Sequence, residues 1–192
     1  MAILRSTSRS NQRSSRSPVA VGILALAFLL AASPVAAGTE DHSDHDSIGG
    51  LLAGVRRATA PYHELSRATA AGYAKFYVCT DQPGQGAMGQ HFVNGALVAD
   101  PEENALTPEA VIYEPEADGE YRLVAVEYVT FQAAWDAIHA SPPVLFDQQF
   151  HLVAAPNRYG LPAFYELHLW IWRNNPSGLF NDWNPRVSCR DA

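Results

Sequence analysis

The sequence predicts an α+β domain, with an N-terminal helical segment packed on a curved antiparallel β-sheet or partial barrel and one disulfide. Two observations carry that prediction. Leu51, Val55, Ala58, Tyr62, Leu65, Thr69, Gly72 and Phe76 recur at alternating steps of four and three, which places them on one helix face. Beyond Gly72 the period changes to short runs rich in Val, Tyr, Phe and Trp. Helices first and strands afterwards, without repeats at solenoid or propeller spacing, is the order of α+β rather than alternating βαβ architecture.

Before the domain comes a leader. Met1 to Pro18 carries four arginines and no acidic residue, Val19 to Ala32 is apolar, and "SPVAAG" follows. That is the order of a signal peptide, so residues 1–37 are expected to be removed after Ala37. At about 14 residues the apolar run is shorter than the roughly 20 needed to span a bilayer. The expectation is a secreted or cell-envelope protein with no stable membrane insertion once the signal is cut. Residues 38–47 form an acidic tether whose composition cannot bury a core. Within it, His42 and His45 beside Asp41, Asp44 and Asp46 offer at most a loose metal patch. A single domain is expected over residues 48–192.

Charge excludes one class of partner. Four of the 13 Lys and Arg fall in the signal and none of the 20 Asp and Glu do, so the rest of the chain carries a net charge of −11 with histidine neutral. With no basic cluster and Lys75 as the only lysine, nucleic acid is not an expected partner. The two cysteines, Cys79 and Cys189, are expected to pair in an oxidising compartment and pin the C-terminal tail beside the strand carrying Cys79.

In chain order, Ser47 reads as an N-cap and Pro61 as a kink or restart in the first turn of a second helix. His63 falls off the apolar stripe and reads as a surface residue. "KFYVC" reads as a short strand and "TDQPGQGAMGQ" as a glycine-rich loop that lacks the lysine of a phosphate loop. "HFVNGALV", "AVIYEP", "YRLVAVEYVTF", "DQQFHLVAA" and "FYELHLWIW" are further strands, and "FQAAWDAIHA" a short helix. In "YRLVAVEYVTF", alternation places Tyr121, Leu123, Ala125, Glu127, Val129 and Phe131 on one face. In the last strand, Glu166, His168, Trp170 and Trp172 share a face opposite Tyr165, Leu167, Leu169 and Ile171.

Glu127 sits in the middle of an apolar row, where an unpaired carboxylate is costly and demands a partner. His91, Glu127 and His168, on three different strands, are the candidate metal ligands, with Glu114 and His151 in reserve. Two imidazoles and one carboxylate suit zinc, iron(II) or manganese. No His-x-His or His-Glu-x-x-His signature is present, and pairing of Glu127 with Arg122 or Arg158 is the plainer reading. Trp170, Trp172 and Trp183 form an aromatic candidate surface for a small molecule or glycan, or else complete a core. No Gly-x-Ser-x-Gly elbow is present.

The stretches "YHELSRATAAGY", "GAMGQHFVN", "YEP", "LVAVEY" and "LHLWIWRNNPSGLFNDWNPRVSC" resemble a family of small exported bacterial proteins of uncharacterised function. The resemblance runs from about Ala58 to Cys189; it implies one secreted domain and lends no activity. The leading functional expectation is metal binding outside the cytoplasm. A non-catalytic ligand- or glycan-binding domain and a structural envelope protein stand as alternatives.

Overall fold

The computed structural model describes residues 47–192; the expected signal peptide and the expected His42–His45 patch lie outside the described residues. The Ser47 hydroxyl accepts the Gly50 N–H at 3.1 Å and caps helix α1 (Ile48–Thr59). Pro61 then tightens the chain into a 3-10 turn (Ala60–His63), and α2 (Leu65–Ala70) restarts the helix. The expected stripe holds as far as Leu65 and fails beyond it. Ala71 and Gly72 end the helix, with Gly72 at φ 97°, and Ala68 and Tyr73 are buried in place of Thr69 and Gly72.

Six antiparallel strands follow in one strongly curled sheet, a half-barrel, in the order β1-β2-β3-β4-β8-β7. These are β1 (Ala74–Gln82), β2 (Gly86–Val93), β3 (Ala110–Pro115), β4 (Tyr121–Phe131), β7 (His151–Val153) and β8 (Phe164–Leu169). The short pair β5 (Val144–Leu145) and β6 (Gln148–Gln149) stands apart from it, and two short helices, α3 (Gly95–Val98) and α4 (Gln132–Asp136), follow β2 and β4. The glycine-rich stretch is not a loop: β1 continues through Gln82, and Gln85 N–H to Gln82 carbonyl closes a tight turn into β2. Nor does "HFVNGALV" stay extended, because the Asn94 side chain accepts the Ala96 N–H at 3.1 Å and caps α3.

The outer face of the sheet carries the main core. Phe92, Val111, Tyr113, Val126, Tyr128, Tyr165, Leu167 and Leu169 pack there against Val55, Ala68, Leu51, Tyr62 and Leu65 of the helical segment. A smaller cluster on the inner face joins Ala87, Ile112, Val124, Ala125, Trp170 and Val187.

Strand β4 does not keep one phase along its length. Ile112 pairs with Ala125 but Tyr113 pairs with Leu123, which leaves Val124 as a bulge. The bulge turns Leu123 and Tyr121 to the outer core, against the strict alternation expected, while Ala125, Glu127, Val129 and Phe131 keep their shared face. The freed Val124 carbonyl accepts the N–H groups of Trp172 and Arg173 at 3.2 and 3.0 Å. Strand β8 stops at Leu169 and Ile171 N–H turns back to the Leu169 carbonyl, so Trp172 does not share the face of His168. Its indole N–H donates to Thr59 Oγ1 at 3.1 Å, and its ring meets that of the exposed His63 edge-on at 4.3 Å.

The C-terminal tail lies across the inner side. Asn184 and Ala87 exchange backbone hydrogen bonds, and the close approach requires glycine at position 86, where a Cβ would stand 2.1 Å from the Asn184 oxygen. Cys79 of β1 is bonded to Cys189, closing a sequence separation of 110. In the chain-entropy account such a loop is worth roughly 4 to 5 kcal/mol. Replacing both cysteines by serine is expected to lower the unfolding free energy in urea by about 4 kcal/mol. Protein denatured without reductant should show no thiol, and two titratable thiols per chain would contradict the bridge.

Candidate metal centre

Cross-strand register builds the centre. Glu127 stands opposite His168 in the β4–β8 ladder, Val129 stands opposite Glu166, and Glu166 stands opposite His151 of β7. His91 reaches the same spot from β2. Because these positions share the inner face of a curled sheet, the side chains converge instead of running parallel. Nε2 of His91 lies 3.4 Å from Oε2 of Glu127, and Nε2 of His168 lies 3.6 Å from Oε1 of the same carboxyl. The two imidazole rings are perpendicular, with centroids 5.7 Å apart. One donor atom from each of the three falls within a 4.8 Å sphere of mutual distance.

No Lys or Arg pairs with Glu127 among the described residues, and the Arg158 guanidinium acts only on the neighbouring Glu166, which it lowers. Arg122 pairs with Glu116, Arg158 lies over the Trp183 ring, and Lys75 bonds Tyr121. Pairing of Glu127 with Arg122 or Arg158 is therefore not what the fold adopts. Burial instead drives the Glu127 carboxyl well above its ordinary range, reinforced by Glu166, with which it shares a hydrogen bond that keeps the proton on Glu127. Glu166 is pushed up to about 7 by burial and by Asp182. Burial pulls His91 down to about 4, and it lowers His168 strongly, helped by the neighbouring His91 and His151. The 3.4 Å approach of His91 to Glu127 is thus a contact of a neutral ring with a protonated acid rather than an ion pair. The Gly89 carbonyl beside the His91 ring favours an N–H facing it, which leaves Nε2 as the lone-pair nitrogen toward Glu127.

His168 is fully buried, and neither ring nitrogen has a hydrogen-bond partner. Separations of 3.4–3.6 Å exceed ordinary hydrogen bonds. They match the edge between two ligands of one tetrahedral ion, about 3.4 Å for bonds of 2.0–2.1 Å. Above His91 and Glu127 opens a cavity of about 250 Å³ lined by Phe76, Tyr77, Phe131, Tyr159, Phe164 and Leu161.

The reserve residues divide. His151 stands at the rim with Nδ1 3.4 Å from Asp182 Oδ1. Glu114 is remote in role: its Oε1 accepts the Ser188 N–H at 3.0 Å and fastens the tail. The tryptophans do not form a row. Trp170 is 2% exposed in the inner cluster, Trp172 is on the outer face, and Trp183 is half-buried under Arg158. Two further acids belong to the site. Alternation along the last strand already puts Glu166 on the face of His168, though not among the expected ligands. Asp182 arrives on the tail and had no local signal. No known protein family, curated protein or solved structure matches the chain.

These buried groups set a pH dependence. Between about pH 6.5 and 8 the buried His91 and His168 are neutral in the fold and lose their remaining protons in the unfolded chain, while folded Glu127, Glu166 and Glu109 (the last pushed up to about 8 by burial) still hold more protons than that, all lost from the unfolded acids. The folded state binds more protons there, so stability falls as pH rises. Urea unfolding of chelator-treated protein should therefore weaken from about pH 6.5 to about 8. With a saturating divalent metal the decline should be shallower, because Glu127 then binds as the carboxylate and no longer holds its proton.

Proposed function

We propose that this chain is an exported metal-binding protein in which His91, Glu127 and His168 hold a divalent transition metal, zinc, iron(II) or manganese, at the floor of an apolar cavity. The observation that carries the reading is the buried, uncompensated geometry. The two imidazole nitrogens stand 3.4 and 3.6 Å from the two oxygens of one carboxyl, one donor atom of each residue lies within 4.8 Å of the others, and no Lys or Arg pairs with Glu127 among the described residues. A buried carboxyl without a cation must stay protonated, whereas a metal bound there lets it ionise and gives His168 the partner it lacks. Two imidazoles and a carboxylate leave coordination positions open on such ions, and His91 and Glu127 border the cavity where a small molecule would meet them. Export is supported by the N-terminal leader and by the disulfide, which suits an oxidising compartment. Among the described residues no helix is long and apolar enough to cross a membrane. A tryptophan-based binding face draws little support, since Trp170 is buried and Trp172 packs on the helices.

Untagged protein purified without chelator is expected to carry near-stoichiometric transition metal by elemental analysis and to melt at lower temperature once stripped. Glu127→Gln, which preserves volume, should weaken metal affinity at least about 100-fold, since changing groups that merely orient a ligand already costs about 10–100-fold. Metal-free protein whose melting is indifferent to added Zn²⁺, Fe²⁺ and Mn²⁺ would remove the proposal.

A further inference from the structure

The second nitrogen of His168 faces a donor set of its own. Nε2 turns to Glu127, whereas Nδ1 lies 3.7 Å from Oδ1 of Asp182. That Asp182 oxygen also lies 3.4 Å from Nδ1 of His151. Glu166, His168 and Asp182 each bring a donor atom within 4.8 Å of the others. Both His168 nitrogens are buried without a hydrogen-bond partner, and the buried Asp182 Oδ1 has the partly exposed His151 ring beside it. A neutral imidazole carries one N–H, which buried surroundings ordinarily pair with an acceptor. Here the two carboxylates that face the ring nitrogens stand at 3.6 and 3.7 Å, too far for a hydrogen bond and close to a ligand–ligand edge.

We propose that His168 bridges two metal ions as an imidazolate. The first ion sits between His91, Glu127 and His168 Nε2. The second is held by His168 Nδ1, Asp182, Glu166 and His151. The inference rests on the first site and extends it.

Charge supports the pair. Two divalent ions bring four positive charges, and the carboxylates of Glu127, Glu166 and Asp182 with one imidazolate bring four negative ones. The donor set and the two ions then balance in charge, with the Arg158 guanidinium acting on Glu166 from outside the set. On binding the second ion the remaining imidazole N–H proton leaves to solvent, both ring lone pairs become metal bonds, and no electron changes hands. Access differs between the two positions. The second opens to solvent on one side, where the side chains of Asp182 and His151 are 28% and 58% exposed, while its Glu166 lines the same cavity as His91 and Glu127. Mixed imidazole and carboxylate donors suit zinc and copper(II).

The test uses Cu²⁺ as probe on the full chain with its disulfide intact, carrying His42→Ala and His45→Ala so that the tether supplies no ligand. The expected result is two coppers per chain with loss of most of the copper(II) EPR intensity, because spins joined through an imidazolate couple antiferromagnetically. Asp182→Asn, at a partly exposed position, should keep the fold by circular dichroism, bind one copper, and show full intensity per copper. One copper in the parent chain, lost on Glu127→Gln, overturns the second site and leaves the first. Two coppers with undiminished intensity overturn the bridge. No copper at all removes both.

Discussion

A carboxyl group enclosed by apolar walls, another acid and two neutral imidazoles is the constraint on which this molecule turns. Glu127 is 5% exposed at the centre of β4, and no ammonium or guanidinium reaches it among the described residues. A buried ion without a counter-ion is among the costliest arrangements a fold can hold. The cluster has two ways to shed that charge. It can retain protons on Glu127 and Glu166, or it can release them to a cation held by the same oxygens and by His91 and His168. Low pH favours the former and higher pH the latter, so one set of residues accounts for both the proton affinity of the acids and the ligand geometry of the histidines.

The surrounding architecture serves to keep this group dry and convergent. The helical segment covers the outer face of the sheet, where the aromatic and aliphatic rows of β4 and β8 make the main core. The inner face is covered differently, by a tail with little regular structure. Its fastenings include the Cys79–Cys189 bond, the exchange of hydrogen bonds between Asn184 and Ala87, and the Glu114 carboxyl accepting from Ser188. Fastening matters because the tail delivers Asp182 to His168 and shuts Trp170 into the inner cluster. The disulfide is therefore joined to the site through the tail.

Trp170 shows how packing and chemistry are combined. Its ring lies nearly parallel to the His168 imidazole, with centroids 6.5 Å apart, and its indole N–H donates to the Asn181 carbonyl, one residue before Asp182. One side chain thus braces both the imidazole and the loop that bears the acid opposite it. Tyr159 and Phe164, with Phe76 and Tyr77 of β1, extend the apolar wall upward and form a cavity beside polar ligands, the combination in which a few polar groups orient a mostly apolar guest.

How far this could be read from the chain follows from what each feature depends on. The helix start at Ser47, the restart at Pro61, the bounds of β3 and β4, the pairing of two cysteines and the anomaly of Glu127 in an apolar row are local facts of spacing and side-chain chemistry, and they stand in the sequence as in the structure. The bulge at Val124, the diversion of Trp172 to the helices and the arrival of Asp182 are not local. At the bulge the Val124 carbonyl is taken up by the N–H groups of Trp172 and Arg173, residues far along the sequence. Composition and periodicity by themselves determined an α+β domain with an acid in need of a partner. Only the tertiary structure decided which imidazoles face that acid, because cross-strand register and sheet curl bring together groups whose separation along the chain says nothing about their distance in space.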